Sequence, residues 1–273
     1  MHILVTINKN YIEQLKIMLY SLKCNHQNQS INVYLLHHNL CDEDISDLKK
    51  CIEDQYLTII ALKLDYQLND VYITKRYPCE IYDRLFATLY LPKDLERILY
   101  LDPDIIVKGD LNKLYNTDFQ DKLFVGASHT NKFLNYINKK RLNLKEDVIY
   151  LNTGVLLMNL NKLRHIIDPT VITQTIRSNH YRLILPDQDI ITILYGNQII
   201  EVDAMTYNLS DRILNIANLL NHNLYTKQWI DDNVKIIHYC GRNKPWNKYY
   251  LGILDDYYHH YLKAYNESLK SKN

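Results

Sequence analysis

The sequence predicts an α/β fold, with a mostly parallel central sheet and helices on both of its faces, in a single domain. Three observations carry that expectation. Short apolar runs alternate with amphipathic stretches through the first 64 residues, the pattern of successive strand–helix units. The run Ile98-Leu99-Tyr100-Leu101 reads as a buried strand, and Ile105-Ile106-Val107 resumes it after two carboxylates. The 273 residues contain no repeat, low-complexity linker or boundary signal, so one large core accounts for the chain.

Residues 3–7 form the first expected strand, followed by the polar turn Asn8-Lys9-Asn10-Tyr11. A helix comes next, with Ile12, Leu15, Met18, Leu19 and Leu22 on one face. Residues 31–36 make a second strand. Asp42 reads as the N-cap of a helix carrying Ile45, Leu48 and Ile52. Residues 57–64 make a third strand. Residues 80–91 suggest a helix that buries Ile81, Leu85 and Leu89 and ends at Pro92. A short strand is expected over 124–128. Residues 130–149 are polar and basic without an apolar period, which predicts a mobile loop over the site. Residues 150–157 form a strand interrupted by Asn152-Thr153-Gly154, the mark of a bulge or of close backbone approach to a ligand. Further strands are expected over 198–202 and 234–237. A Tyr-rich helix from residue 251 should pack on the domain.

A formal net charge of +1 disfavours a nucleic-acid binder acting through bulk electrostatics. The five cysteines are scattered, without C-x-x-C spacing, and read as free thiols in a reducing compartment. No stretch is long and apolar enough to span a bilayer. The opening Met-His-Ile-Leu-Val-Thr-Ile reads as a strand rather than a signal peptide. A cytoplasmic protein is expected, at most peripheral at the inner face of a membrane. The 24 tyrosines offer apolar faces with polar tips, although compositional bias explains their number equally well.

Ligands of such sheets lie beyond the carboxyl ends of the strands. G-x-G-x-x-G and Walker A loops are absent, so bound phosphates need a metal and basic side chains. Asp102 and Asp104 flank Pro103, which biases Asp102 toward an extended conformation. Two residues apart on an extended chain, both carboxylates can face one point and suit Mg²⁺ or Mn²⁺. Alone, the tripeptide also reads as a solvated turn. His238 closes the last strand and can join the pair on a metal, Gly241 allows close backbone approach, and Lys244 supplies an ammonium for phosphate. Asn8 and Asn10 can read a nucleobase and Tyr11 can stack on it; a plain strand-to-helix turn is the alternative. Arg84 belongs either to the ligand face or to a surface salt bridge. Asp187 and Gln188 open a helix facing a sugar, unless Asp187 is only an N-cap.

Four motifs occur in order: Leu-Asp-Pro-Asp-Ile-Ile-Val, Leu-Asn-Thr-Gly-Val-Leu-Leu-Met-Asn-Leu, Leu-Pro-Asp-Gln-Asp-Ile and His-Tyr-Cys-Gly-Arg-Asn-Lys-Pro-Trp. With them the chain resembles glycosyltransferase family 8 from residue 3 to about residue 247. That family has the GT-A fold, with its Rossmann-like sheet, and includes bacterial lipopolysaccharide galactosyl- and glucosyltransferases. The resemblance implies retaining transfer of a hexose from a UDP-sugar, with Mn²⁺ or Mg²⁺, to a glycan, lipid-linked or protein acceptor. On it, residues 1–250 are the transferase domain and 251–273 a helical extension. Asp102, Asp104 and His238 match the metal ligands. Lys244 matches the diphosphate contact, and Thr6, Asn8, Asn10, Tyr11, Arg76 and Gly241 fall in donor-binding stretches. Arg84, Asn152, Asp187 and Gln188 match positions lining the donor sugar, where catalysis occurs. The chain departs from the pattern at Asn8, Arg76 and Ser128-His129-Thr130; these positions bear on the donor sugar, not on the reaction class. A silent UDP-sugar binder and a UDP-sugar hydrolase are the alternatives.

Overall fold

A computed structural model describes residues 1–66, 79–130, 132–221 and 224–271. Its seven-stranded sheet has the order β3-β2-β1-β4-β7-β6-β8. The strands are β1 (His2–Thr6), β2 (Ile31–His37), β3 (Leu57–Lys63), β4 (Arg97–Leu101), β6 (Phe124–Ala127), β7 (Asn152–Asn159) and β8 (Ile199–Glu201). A second, two-stranded sheet joins β5 (Ile105–Val107) to β9 (Ile236–His238). The main sheet is mostly parallel; only β7 runs against its neighbours, β4 and β6.

Both faces are buried, because side chains alternate across a strand. Ile3, Val5, Leu99 and Leu101 enter one core, while Leu4, Ile98 and Tyr100 enter the other. The first core is covered by the helix Ile12–Asn25, through Leu15, Met18, Leu19 and Leu22. The second is covered by Ile172 and Ile176 of the helix Pro169–Asn179 and by Ile190 and Ile191 of the helix Pro186–Tyr195.

Several expectations need correction. The helix Asp42–Ile52 is capped by Cys41, whose backbone is extended and whose N–H donates to Asp44 at 3.3 Å. Asp42 is instead the first helical residue, where its charge suits the helix dipole. Residues 80–91 do not form one helix. They break into the 3₁₀ turn Cys79–Tyr82, the α turn Asp83–Phe86 and the 3₁₀ turn Ala87–Leu89. Three residues per turn rotates Leu89 off the apolar face that a 3.6 period would give it, and it is exposed. The interval 130–149 contains a helix, Lys132–Leu142, rather than a loop alone. Its Tyr136 and Ile137 face solvent while Leu142 is buried, which blurs the apolar period; Arg141 adds a polar anchor.

The last helix, Asp255–Lys270, sends Tyr257, Tyr258 and Tyr265 into the same core as β1 and β4. Among the described residues no helix is long and apolar enough to cross a membrane. Tyr258 packs on Trp246 and Tyr239, with ring centroids 5.5 and 5.9 Å away. Tyr258→Ala should therefore cost about 3–5 kcal/mol in urea denaturation. A loss under about 1 kcal/mol would mean that the terminal helix is an appendage independent of the core.

Candidate functional site

β4 ends at Leu101, and a turn through Asp102, Pro103 and Asp104 carries the chain out of the main sheet into β5. The turn, not a continuous extended strand, brings the two carboxylates together. β5 pairs antiparallel with β9 so that Ile105 lies opposite His238, and Tyr239 N donates to Asp104 O at 3.0 Å. The register alone thus sets the imidazole beside Asp104.

Each carboxylate is held by one oxygen. Asp102 Oδ1 accepts from Arg84 Nη2 at 3.0 Å and from Tyr100 Oη at 2.6 Å. Asp104 Oδ2 accepts from Lys244 Nζ. The other oxygens face His238 Nε2, Asp102 Oδ2 at 3.6 Å and Asp104 Oδ1 at 3.2 Å. Asp104 Oδ1 is buried without a hydrogen-bond partner, and His238 Nδ1 is committed to Asn208 Oδ1 at 2.8 Å. With Nδ1 protonated, Nε2 and both free oxygens present lone pairs to one point, their ligand atoms all within 4.8 Å of one another. Three converging acceptors repel unless a cation sits between them, and two carboxylates with an imidazole suit a borderline divalent ion. The residues present fit a metal.

Burial opposes the Asp104 charge, but Lys244 and His238 outweigh it and hold the carboxyl below its usual range. Burial would lower Arg84; Asp102, Tyr100 and Asp187 raise it instead. Arg84 lies 4.2 Å above the Tyr100 ring, donates to Thr153 O at 2.9 Å and pairs with Asp187 Oδ2 at 3.1 Å. It is no surface salt bridge. Burial raises the Asp187 carboxyl even with Arg84 beside it, and the Thr153 hydroxyl donates to the same oxygen. Asp187 does not cap its helix: the N-cap is Leu185, with Pro186 in the first turn.

The bulge expected at Asn152-Thr153-Gly154 exists. The register of β6 against β7 slips between Gly126 and Ala127, which lies opposite Asn152. Gly154 O accepts from Asp102 N at 2.8 Å, and a Cβ there would meet His238 Cε1 at 2.2 Å and Asp102 Oδ2 at 2.6 Å. Only glycine lets β7 pass under the site.

These groups line a cleft of about 270 Å³ with Thr6, Asn8, Tyr11, Asn152, Gln188 and Gly241. Asn8 also caps the first turn, its Oδ1 accepting from Asn10 N at 3.1 Å. Asn10 itself lies in a separate surface depression with Lys9 and Asp44. Arg76 lies outside the described residues. Sequence reasoning missed Tyr100 and Asn208, and marked Thr153 and His129 only within the Asn152-Thr153-Gly154 interruption and the departure at Ser128-His129-Thr130. Tyr100 was findable, two residues before Asp102 and so on the same face of β4. Asn208, which follows the helix Ala204–Tyr207, carries no local signal.

Asp189, completely buried, is satisfied by Arg141 Nη1 and Nη2 at 2.9 and 2.8 Å, Tyr150 Oη at 2.7 Å and the backbone N–H groups of Ile184 and Leu185. It locks the helix that presents Asp187 and Gln188 to the helix Lys132–Leu142.

The sequence profile of Glycosyl transferase family 8 matches residues 2–249. The lipopolysaccharide 1,2-glucosyltransferase of Escherichia coli is 26% identical over 256 residues, covering 92% of this chain and 75% of its own. The lipopolysaccharide 1,3-galactosyltransferase of Salmonella typhimurium is 24% identical, covering 73% and 59%. Among solved structures, the galactosyltransferase LgtC in complex with donor and acceptor sugar analogs superposes with a TM-score of 0.79 at 20% identity, covering 97% of this chain and 96% of that one. The fold is therefore GT-A.

Two outcomes follow from this geometry. Gly154→Ala should cost about 1–3 kcal/mol through overpacking and weaken divalent-cation binding; a variant that binds Mn²⁺ like the wild type would contradict the close approach. The His129 imidazole is pushed down to about 3 by burial, with His238 adding to it. Its folded value lies below its unfolded one, so the unfolded chain takes up the proton first as pH falls. Stability is then fully present above 6.5 and is lost toward 3, at up to about 1.4 kcal/mol per pH unit. Urea denaturation across that range should show a slope shallower by up to one proton in His129→Gln.

Proposed function

Because the chain belongs to glycosyltransferase family 8, we propose that it transfers a hexose, galactose or glucose, from a UDP-sugar to a glycan-bearing acceptor with retention at the anomeric carbon. The observation that carries this reading is the convergence of Asp102 Oδ2, Asp104 Oδ1 and His238 Nε2 at the wall of an open cleft, with Lys244 beside them. Those three atoms would hold Mn²⁺, or Mg²⁺; the imidazole favours Mn²⁺. Such an ion, when bound, acts as a Lewis acid toward the diphosphate leaving group.

The chain's own residues do the rest. Lys244 Nζ, now on Asp104 and Tyr239 O, is the ammonium available to neutralise departing UDP. Gly241, at φ 94° with open space where a Cβ would stand, lets the backbone approach a phosphate. Tyr11, edge-on to Trp246, offers a ring to the uracil, and Thr6 and Asn8 line the same cleft. Arg84 keeps Asp102 and Asp187 in fixed relation. Gln188 Oε1 already accepts from Asn152 Nδ2 at 3.0 Å, and an amide oxygen is a poor nucleophile beside a carboxylate. Retention is therefore best met by departure and attack on one face, a diphosphate oxygen taking the acceptor's proton while Gln188 and Asp187 orient the sugar. Residues 1–250 carry every group named, with 251–273 as a helical extension. A UDP-sugar donor and free thiols at Cys24, Cys41, Cys51 and Cys240 fit a reducing cytoplasmic setting, with peripheral placement at the membrane for a lipid-linked acceptor.

The test is nucleotide release from a panel of UDP-, GDP- and ADP-sugars with Mn²⁺ or EDTA, beside Asp104→Ala. Mn²⁺-dependent release from UDP-galactose or UDP-glucose is expected, falling by about 100-fold or more in the variant. Release of free sugar independent of any acceptor would mark a hydrolase, and Mn²⁺-dependent UDP binding without turnover a binder. No affinity for UDP would overturn the proposal. Intact mass should show no glycosyl adduct; one on Gln188 or Asp187 would replace same-face attack by double displacement.

A further inference from the structure

Asn208 is completely buried and uses both ends of its side-chain amide. Its Oδ1 meets His238 Nδ1 at 2.8 Å, and its Nδ2 meets Asn152 Oδ1 at 3.0 Å. Asn152 Nδ2 in turn meets Gln188 Oε1 at 3.0 Å. One backbone group fixes every direction in this chain. Gly154 N–H, which can only donate, lies 3.1 Å from Asn152 Oδ1, so that atom is the amide oxygen. Asn208 must then point its N–H₂ at Asn152 and its oxygen at His238. The proton of His238 therefore sits on Nδ1, and Nε2 is the lone-pair nitrogen facing Asp102 and Asp104. At the other end Asn152 donates to Gln188 Oε1, which turns the Gln188 N–H₂ to the Tyr150 hydroxyl and holds the amide at the cleft wall.

The backbone holds Asn208 in place for this. Leu209 N donates to Ile236 O and His238 N to Leu209 O, at 3.0 and 2.7 Å, bridging the segment to β9. His129 Nε2 lies 2.7 Å from Asn208 O. A carbonyl only accepts, so His129 is protonated there and turns Nδ1 toward the Cys240 thiol, 3.8 Å away.

We propose that Asn208 is a positioning residue: it presets His238 Nε2 for a divalent cation and, through Asn152, holds the Gln188 amide at the cleft wall for the donor sugar. One side chain thereby couples cation binding to sugar orientation. The inference rests on the metal reading of Asp102, Asp104 and His238.

Two variants separate its halves. Asn208→Leu removes both hydrogen bonds. Asn208→Asp still accepts from His238 Nδ1 but presents an oxygen to Asn152, whose own oxygen is pinned by Gly154 N–H. Mn²⁺ titration followed by electron paramagnetic resonance, with thermal melting as the check on folding, should show affinity about 10–100-fold weaker in Asn208→Leu and close to wild type in Asn208→Asp. With whichever of UDP-glucose and UDP-galactose the wild type consumes, kcat should fall about 10-fold or more in Asn208→Asp without a matching rise in KM. Wild-type Mn²⁺ affinity in Asn208→Leu, or equal losses in both variants, would overturn the tautomer role. Unchanged kcat in Asn208→Asp would overturn the link to Gln188. If Asn208→Leu does not fold, ¹⁵N spectra of histidine-labelled wild type decide: His238 should carry its proton on Nδ1, and a proton on Nε2 would refute the assignment. A wild type that binds no Mn²⁺ overturns the metal reading itself, an outcome visible before any variant is made.

Discussion

A buried and a half-buried carboxylate can share one cleft only if the fold supplies compensating charge, and here each receives its own cation. Arg84 holds Asp102 by Oδ1, and Lys244 holds Asp104 by Oδ2. Removing Lys244 would leave the buried Asp104 charge uncompensated, which is costly. The pairing also has a geometric consequence. With one oxygen of each carboxylate restrained, the other is aimed at His238, and repulsion among the three free acceptors is stored until a cation relieves it. The site is preorganised because stability requires the pairs.

The rest of the molecule arranges itself around that requirement. Arg84 must be buried to reach Asp102, so its segment winds tightly and stacks it on Tyr100. β7 must pass close below, so it bulges and carries Gly154 where any side chain would collide with His238. A single antiparallel strand in an otherwise parallel sheet is what brings the Asn152-Thr153-Gly154 stretch back across the end of β4. Asp189 then fixes the helix start that offers Asp187 and Gln188, using Arg141 of the helix Lys132–Leu142.

The cleft brings three converging acceptors together with side-chain amides and the Arg84–Asp187 pair. Asp102, Asp104, His238 and Gly241 line the cleft, with Lys244 paired to Asp104 beside them. Asn152 and Gln188 line the same cleft with Arg84 and Asp187, and Asn208 is buried behind them, bonded to Asn152 and His238. Arg84 and the amide chain from His238 to Gln188 link these groups.

The sequence by itself determined the sheet and its first helices, since hydrophobic period and strand length are local quantities and the core follows them at Leu15, Met18, Leu99 and Leu101. It also marked Asp102, Asp104 and His238, because charged or titratable residues at the ends of apolar runs stand out against their neighbours. Local pattern could not choose between a solvated Asp-Pro-Asp turn and a ligand pair, nor between an N-cap and a buried ion pair for Asp187. Those choices depend on Arg84, Thr153 and Lys244 arriving from distant parts of the chain. It misread residues 80–91, where 3₁₀ winding replaces the α period, and 130–149, where a helix that exposes Tyr136 and Ile137 is tied to Asp189 through Arg141. Asn208 was invisible to it altogether. Its role comes from the bridge of Leu209 to β9 and from one backbone N–H at Gly154, and hydrogen bonds of that kind exist only once the chain has folded.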